Sequence, residues 1–192
     1  MKRITLNIGE LAVSKEAASL ETILGSCVAV CLWDEQRRIG GLNHYLLPRE
    51  QPGSEKSTVY GATSIDTLIE QIVDIGADLH SLQAQIFGGG SVISRLDDIF
   101  NIGAANVCIA RERLRHYGIP IVGEHVRDNN GIRVVLKTAT GEITVRPLGK
   151  DKEVIAVREA TAVYHHAQPC KTCIMCGSCA ELLERAKGNQ PL

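Results

Sequence analysis

Cys27 follows Gly25 and Ser26 directly and opens the apolar run 27–33. A thiol at the mouth of a strand, behind a glycine, sits where backbone N–H groups can point into a cleft. Residues 28–33 read as a buried strand, Asp34-Glu-Gln-Arg-Arg38 as a charged turn, and 39–44 as the returning strand. With Trp33 paired to Ile39 across that turn, His44 falls opposite Val28 and next to Cys27, because cross-strand partners hold their Cβ atoms about 5 Å apart. A thiol beside an imidazole is the minimal activated nucleophile: the base takes the proton and the thiolate attacks a carbonyl carbon. Thr22, on the same turn side, offers a hydroxyl that can orient the ring. The competing reading makes Cys27 a small buried hydrophobe and His44 a satisfied edge residue. Ser26 is a rival nucleophile, but a thiol is intrinsically stronger near neutral pH.

A second group lies near the C-terminus, where Cys170, Cys173, Cys176 and Cys179 follow His165 and His166. The spacing resembles the Cys-x2-Cys-x2-Cys opening of cluster ferredoxins, whereas zinc sites usually carry a longer gap between their two Cys pairs. On one helix these thiols would spread over about 13 Å, too far for one metal. A shared site therefore needs irregular backbone, which Pro169 and Gly177 permit. A metal, an iron–sulfur cluster and a redox-labile appendage with no metal stand as alternatives. Gly88-Gly89-Gly90 invites a phosphate-binding reading, but no Gly-Lys-Ser/Thr follows and Ile93 stands where a third dinucleotide-motif glycine belongs, so the triplet reads as a turn. Cys31 and Cys108 read as core residues; His80, His116 and His125 are scattered and read as structural or solvated.

The elements that must hold these groups follow from periodicity. Ile4, Leu6 and Ile8 alternate as a first strand, and a polar stretch follows before Thr22. After the 28–44 hairpin comes a loop at 48–57. Ile65, Leu68, Ile69, Ile72 and Val73 then trace a helix that Gly76 can cap. Residues 82–87 form a short strand stopped by the glycines. A second helix runs through Val107, Cys108, Arg111, Leu114 and Tyr117 to Gly118, and strands are predicted at 119–125, 132–138 and 142–146. No internal repeat is visible. The fold class is α+β, a mixed β-sandwich-like core flanked by helices, with residues 1–167 as one domain and 168–192 as a short Cys-rich tail.

Composition bounds the function. The 192 residues carry 21 Lys and Arg against 22 Asp and Glu, a formal net charge of −1, and only 4% are aromatic. A nucleic-acid surface would lack both its charge and its stacking platforms. With 44% apolar and 22% charged residues, the chain has an ordinary folded balance. The longest apolar run is far short of the ~20 residues of a membrane helix. Asn7 and Glu10 break what would be the apolar stretch of an export signal. The seven cysteines do not space as a secreted disulfide framework. The expectation is a cytoplasmic protein with reduced thiols and no membrane insertion.

The phrases Thr22-Ile-Leu-Gly-Ser-Cys-Val28 and Gly41-Leu-Asn-His44-Tyr-Leu-Leu-Pro48 resemble the chemoreceptor glutamine deamidase family, CheD. The likeness continues through Tyr60-Gly61, Phe87-Gly88-Gly89, Asn101-Ile-Gly103 with Asn106, and Thr140-Gly141, and so covers roughly residues 4–150. The resemblance implies an α/β sandwich-like fold, a Cys nucleophile, a His base and a Thr that positions the His, carried here by Cys27, His44 and Thr22. It implies hydrolysis of receptor glutamine to glutamate with release of ammonia, no cofactor for catalysis, chemoreceptor cytoplasmic domains as substrate, and a CheC-type phosphatase as partner. The chain departs from the family pattern at Gly90, in the loop His125-Val-Arg-Asp-Asn-Asn-Gly131, and in its cysteine tail. Two other classes of function compete: a non-enzymatic module that binds a phosphatase or receptor, and a redox or metal sensor acting through the tail.

Overall fold

Strand β4 (Val28–Asp34) is apolar on both faces, so it needs cover on both. Its Val28, Val30 and Leu32 join one buried cluster with Ile65, Leu68 and Ile72, while Cys27, Ala29 and Cys31 join a second with Leu20, Leu24, Val134 and Leu136. These two cores define three layers in the computed structural model, which describes residues 1–50, 55–90, 102–127 and 130–148.

One sheet has the order β1 (Lys2–Leu6), β3 (Ala18–Leu24), β8 (Ile132–Lys137), β9 (Glu142–Pro147). The other has the order β2 (Leu11–Ser14), β5 (Ile39–Asn43), β4, β6 (Leu82–Gly88), β7 (Ile121–Val126). Both are mixed: β1 pairs parallel with β3 and β6 with β7, and the other pairings are antiparallel. Helices α1 (Gly61–Asp74) and α2 (Ile102–His116) cover the outer face of the five-stranded sheet, tied to each other by a bidentate Arg113–Asp66 pair at 2.7 and 2.8 Å. The expected α+β class with a sandwich-like core is therefore present, with its helices on one side only. Among the described residues no helix is long and apolar enough to cross a membrane. The 167/168 boundary and the cysteine tail lie outside the described residues.

Three local readings change. The stretch expected to be polar between β1 and Thr22 holds two strands. β2 is only four residues long, and β3 alternates inward Leu20, Thr22 and Leu24 with polar Ser19 and Glu21, so its inner face carries a hydroxyl among the aliphatic groups. Helix α2 starts at Ile102, ahead of the 107–117 pattern, because Gly103, Ala104 and Ala105 are buried without being bulky. Cys108 on that helix is buried, as is Cys31 on β4, where both were expected in the core.

The third change concerns hairpin register. Asp34, not Trp33, pairs with Ile39, and Trp33 pairs with Gly40. The loop therefore shortens to residues 35–38, with Arg38 in the left-handed region at φ 55°. The Asp34 carboxylate, fully buried, accepts the N–H of Arg37 at 3.0 Å and of Asp78 at 2.9 Å, plus the Arg37 guanidinium at 3.3 Å. It thus counts as part of the strand end rather than the turn. Burial alone would raise the Asp34 pKa; the two backbone N–H groups and the Arg37 charge outweigh it and hold the carboxyl below its ordinary value. A depressed folded-state pKa contributes stability that is present above the unfolded value near 4 and is lost as pH falls through the folded value. Asp34→Asn should therefore cost about 1–3 kcal/mol at neutral pH and flatten the acid limb of thermal unfolding followed from pH 6 to pH 2. An unchanged acid limb would show that the carboxylate does not hold the turn.

Candidate active site

The sandwich brings a threonine from one sheet to a histidine from the other. Thr22 projects inward from β3 and is 1% exposed; His44 follows β5 directly and is 4% exposed. Thr22 Oγ1 lies 2.7 Å from His44 Nδ1 and donates to the Leu6 carbonyl at 2.9 Å. A hydroxyl has one proton, and a carbonyl can only accept. With that proton committed to Leu6, Thr22 accepts from His44, so Nδ1 carries the ring hydrogen and Nε2 carries the lone pair. The backbone of His44 is fixed as well: its N–H donates to Glu10 O at 2.9 Å, and Gly9 N–H donates to its carbonyl at 2.8 Å. One step before it, Asn43 Oδ1 takes the Val30 N–H at 2.7 Å in place of a backbone carbonyl, and Asn43 Nδ2 donates to Ser64 Oγ at 3.0 Å.

Cys27 occupies the turn between β3 and β4 and is fully buried. Val28 and Tyr45 exchange both backbone hydrogen bonds, at 3.1 and 3.0 Å. The expected Val28–His44 pairing is therefore shifted by one residue, as the Asp34 turn requires. With Val28 opposite Tyr45, Cys27 and His44 flank that pair diagonally and face the same inter-sheet side. Diagonal neighbours of this kind stand about 7–8 Å apart at Cα, within reach of long side chains. Val28 and Tyr45 themselves point to the helices and join the other core. Burial, and then proximity to Cys27, push the Tyr45 phenol above its ordinary pKa. Burial alone pushes the Cys31 thiol far up, which makes it inert.

The triple glycine that ends β6 is not an isolated turn. Gly89 N–H donates to Cys27 O and Gly90 N–H to Gly25 O, both at 2.8 Å. A Cβ on Gly88, whose φ is +96°, would lie 2.2 Å from Cys27 O, and one on Gly89, φ +64°, would lie 2.8 Å from Gly103 O. The glycines are thus required by the close approach of three backbones, and they draw the carbonyls of the 25–27 turn to one side. This backing role was invisible in a motif that sequence analysis could only call a turn. Among the described residues no group of three or more His, Cys, Asp and Glu could hold a metal; the tail cysteines lie outside them.

A family model described as CheD chemotactic sensory transduction matches residues 46–147. The chain belongs to the CheD family. It is 38% identical over 146 residues to a protein of Anaeromyxobacter dehalogenans named "Probable chemoreceptor glutamine deamidase CheD 1", covering 76% of this chain and 85% of that one. It is 34% identical over 155 residues to the "Chemoreceptor glutamine deamidase CheD" of Thermotoga maritima, covering 80% and 97%. A relative from Methanococcus vannielii, "Probable chemoreceptor glutamine deamidase CheD", is 32% identical over 152 residues, covering 79% and 99%. The CheD family match begins just beyond His44, so the placement of Thr22, Cys27 and His44 rests on the geometry above.

The tautomer argument makes Thr22 an acceptor for the ring, which separates two conservative variants. Thr22→Ser keeps the oxygen and should label Cys27 with iodoacetamide at pH 7 nearly as fast as the unchanged protein. Thr22→Val keeps the shape, loses the acceptor, and should slow labelling by roughly 10-fold or more, part of what a positioned base contributes. Cys31 should stay unlabelled throughout. Equal rates for the two variants would contradict the acceptor role.

Proposed function

We propose that this CheD-family chain is a protein-glutamine deamidase that converts glutamine to glutamate on chemoreceptor cytoplasmic domains. The observation that carries the reading is the Thr22–His44 hydrogen bond of 2.7 Å with the threonine proton committed to Leu6. It prepares Nε2 to take a proton, on the face that also carries Cys27. The names of the relatives supply the substrate class.

In this reading His44 Nε2 removes the Cys27 proton, and the thiolate attacks the side-chain carboxamide carbon of a receptor glutamine. The oxyanion is received by backbone N–H groups near Ser26 and Cys27. His44 returns its proton to the departing nitrogen, the C–N bond breaks, and ammonia leaves a thioester on Cys27. A water deprotonated by His44 then attacks the thioester, the C–S bond breaks, and the proton held by His44 restores the thiol. The sum is glutamine plus water giving glutamate plus ammonia, with no redox change and no cofactor. Thr22 is neutral, so it orients the ring without the charge stabilisation an aspartate would give the imidazolium. The substrate places the enzyme in the cytoplasm, and a CheC-type phosphatase is the proposed regulatory partner. Residues 168–192 form a separate appendage in this reading.

Incubation of a receptor cytoplasmic fragment with the full chain should produce, by mass spectrometry, peptides in which a glutamine –NH2 has become –OH. Cys27→Ala should reduce this to background, a loss of at least about 100-fold, while keeping a cooperative thermal transition. Near-normal conversion by Cys27→Ala would reject the mechanism; receptor binding without conversion by the unchanged protein would favour a binding module. Truncation after Ala167 should keep the fold and most of the activity, and a chelator should leave the truncated protein's rate unchanged. A folded but inactive truncation would show that the tail belongs to the catalytic unit.

A further inference from the structure

Asn106 lies on α2, outside the Cys-His-Thr constellation, and is fully buried. Its Nδ2 donates to Leu46 O at 2.7 Å and to Ser26 O at 3.3 Å, and its own backbone carbonyl accepts the Tyr45 hydroxyl at 2.6 Å. Both side-chain recipients are carbonyls, so the amide nitrogen must face them. Its Oδ1 is left buried with no hydrogen-bond partner among the described residues, a state that costs about 1–3 kcal/mol. A link serving stability alone would gain more from a fully satisfied group.

The positions of the two carbonyls matter more than their number. Ser26 immediately precedes Cys27, and Leu46 lies two residues beyond His44. The turn and the strand are already joined by the Val28–Tyr45 pair, but one joint still lets the turn rotate about it. Gly89 and Gly90 hold the carbonyls of Cys27 and Gly25 toward β6, and Asn106 takes the remaining carbonyl of the turn while gripping the histidine segment. Two N–H donors on one planar group, with reach to both, are a requirement that asparagine meets. Aspartate offers no donor, and serine or threonine offers one.

We infer that Asn106 is a positioning residue, which holds the Cys27 turn against the His44 segment at the separation that proton transfer requires. The inference rests on the proposed Cys27–His44 mechanism but not on any receptor substrate, so its test uses none.

The test measures carbamidomethylation of Cys27 in the full chain between pH 6 and pH 9, in the unchanged protein, His44→Ala, Asn106→Ala and the double variant. His44→Ala should slow the reaction at pH 7 by about 10-fold or more and move the pH profile upward. Asn106→Ala should lose a similar factor and move the profile the same way. The double variant should be no slower than His44→Ala, because a residue acting through the pair has nothing left to act on. Equal losses from Asn106→Ala in both backgrounds would overturn the inference and leave Asn106 a packing residue. If Asn106→Ala does not fold, Asn106→Asp, of nearly the same volume, and Tyr45→Phe, which releases only the Asn106 carbonyl, take its place. Tyr45→Phe should then slow Cys27 by a smaller factor and leave Cys31 unlabelled, and an unchanged Cys27 rate would overturn the inference. Absence of deamidation on receptor fragments would reject the proposed function without altering this cycle.

Discussion

The Thr22–His44 hydrogen bond crosses from one sheet to the other, and the chemistry of the site depends on its direction. Because the threonine proton is held by the Leu6 carbonyl, the ring must donate through Nδ1. That assignment needs no charge, and a neutral acceptor suits an interior where an unpaired carboxylate would be costly. It does need geometry. Thr22 belongs to β3 and Leu6 to β1, and His44 directly follows β5, so parallel pairing of β1 with β3 and face-to-face packing of the sheets are conditions for this hydrogen bond.

The cysteine side obeys a different constraint, close approach. The Cys27 turn, the Gly88–Gly90 segment and the start of α2 meet backbone to backbone. A methyl group at Gly88, Gly89 or Gly103 would each meet a carbonyl oxygen at 2.8 Å or less. Histidine is thus held by side-chain polarity and cysteine by the absence of side chains. Asn106 joins the two arrangements, since it alone among the residues described around the site bonds both the Ser26 and Leu46 carbonyls. The helices on the outer face of the five-stranded sheet have two tasks: they cover Val28, Val30 and Leu32, and α2 delivers this asparagine.

Much of this was legible from residues 22–48. The apolar run and charged turn identify the β4–β5 hairpin, and the phrases around Cys27 and His44 carry the family likeness that the comparisons bear out. The register was read one step wrong because Asp34 looks like a turn residue, yet it pairs with Ile39 and Leu82 and its buried carboxylate is held by three hydrogen bonds. Strand β3 was hidden for a related reason: Thr22, which bonds His44, interrupts the aliphatic alternation that would have marked it. Gly88–Gly90 and Asn106 were visible as letters but not as parts of the site. Their meaning depends on contacts between segments distant in the chain, for which local periodicity has no signal.

These features describe a histidine whose tautomer is set by a neutral hydroxyl inside a sandwich, with a thiol placed by a glycine-backed turn on the same face. The most direct test is nitrogen-15 NMR of the His44 ring in the full chain near neutral pH. The expected spectrum shows Nδ1 protonated and Nε2 bare, with Thr22→Val abolishing the preference and Thr22→Ser keeping it. A ring protonated at Nε2 and bare at Nδ1 would make Thr22 a donor and leave His44 without a lone pair for Cys27, contradicting the arrangement at its root.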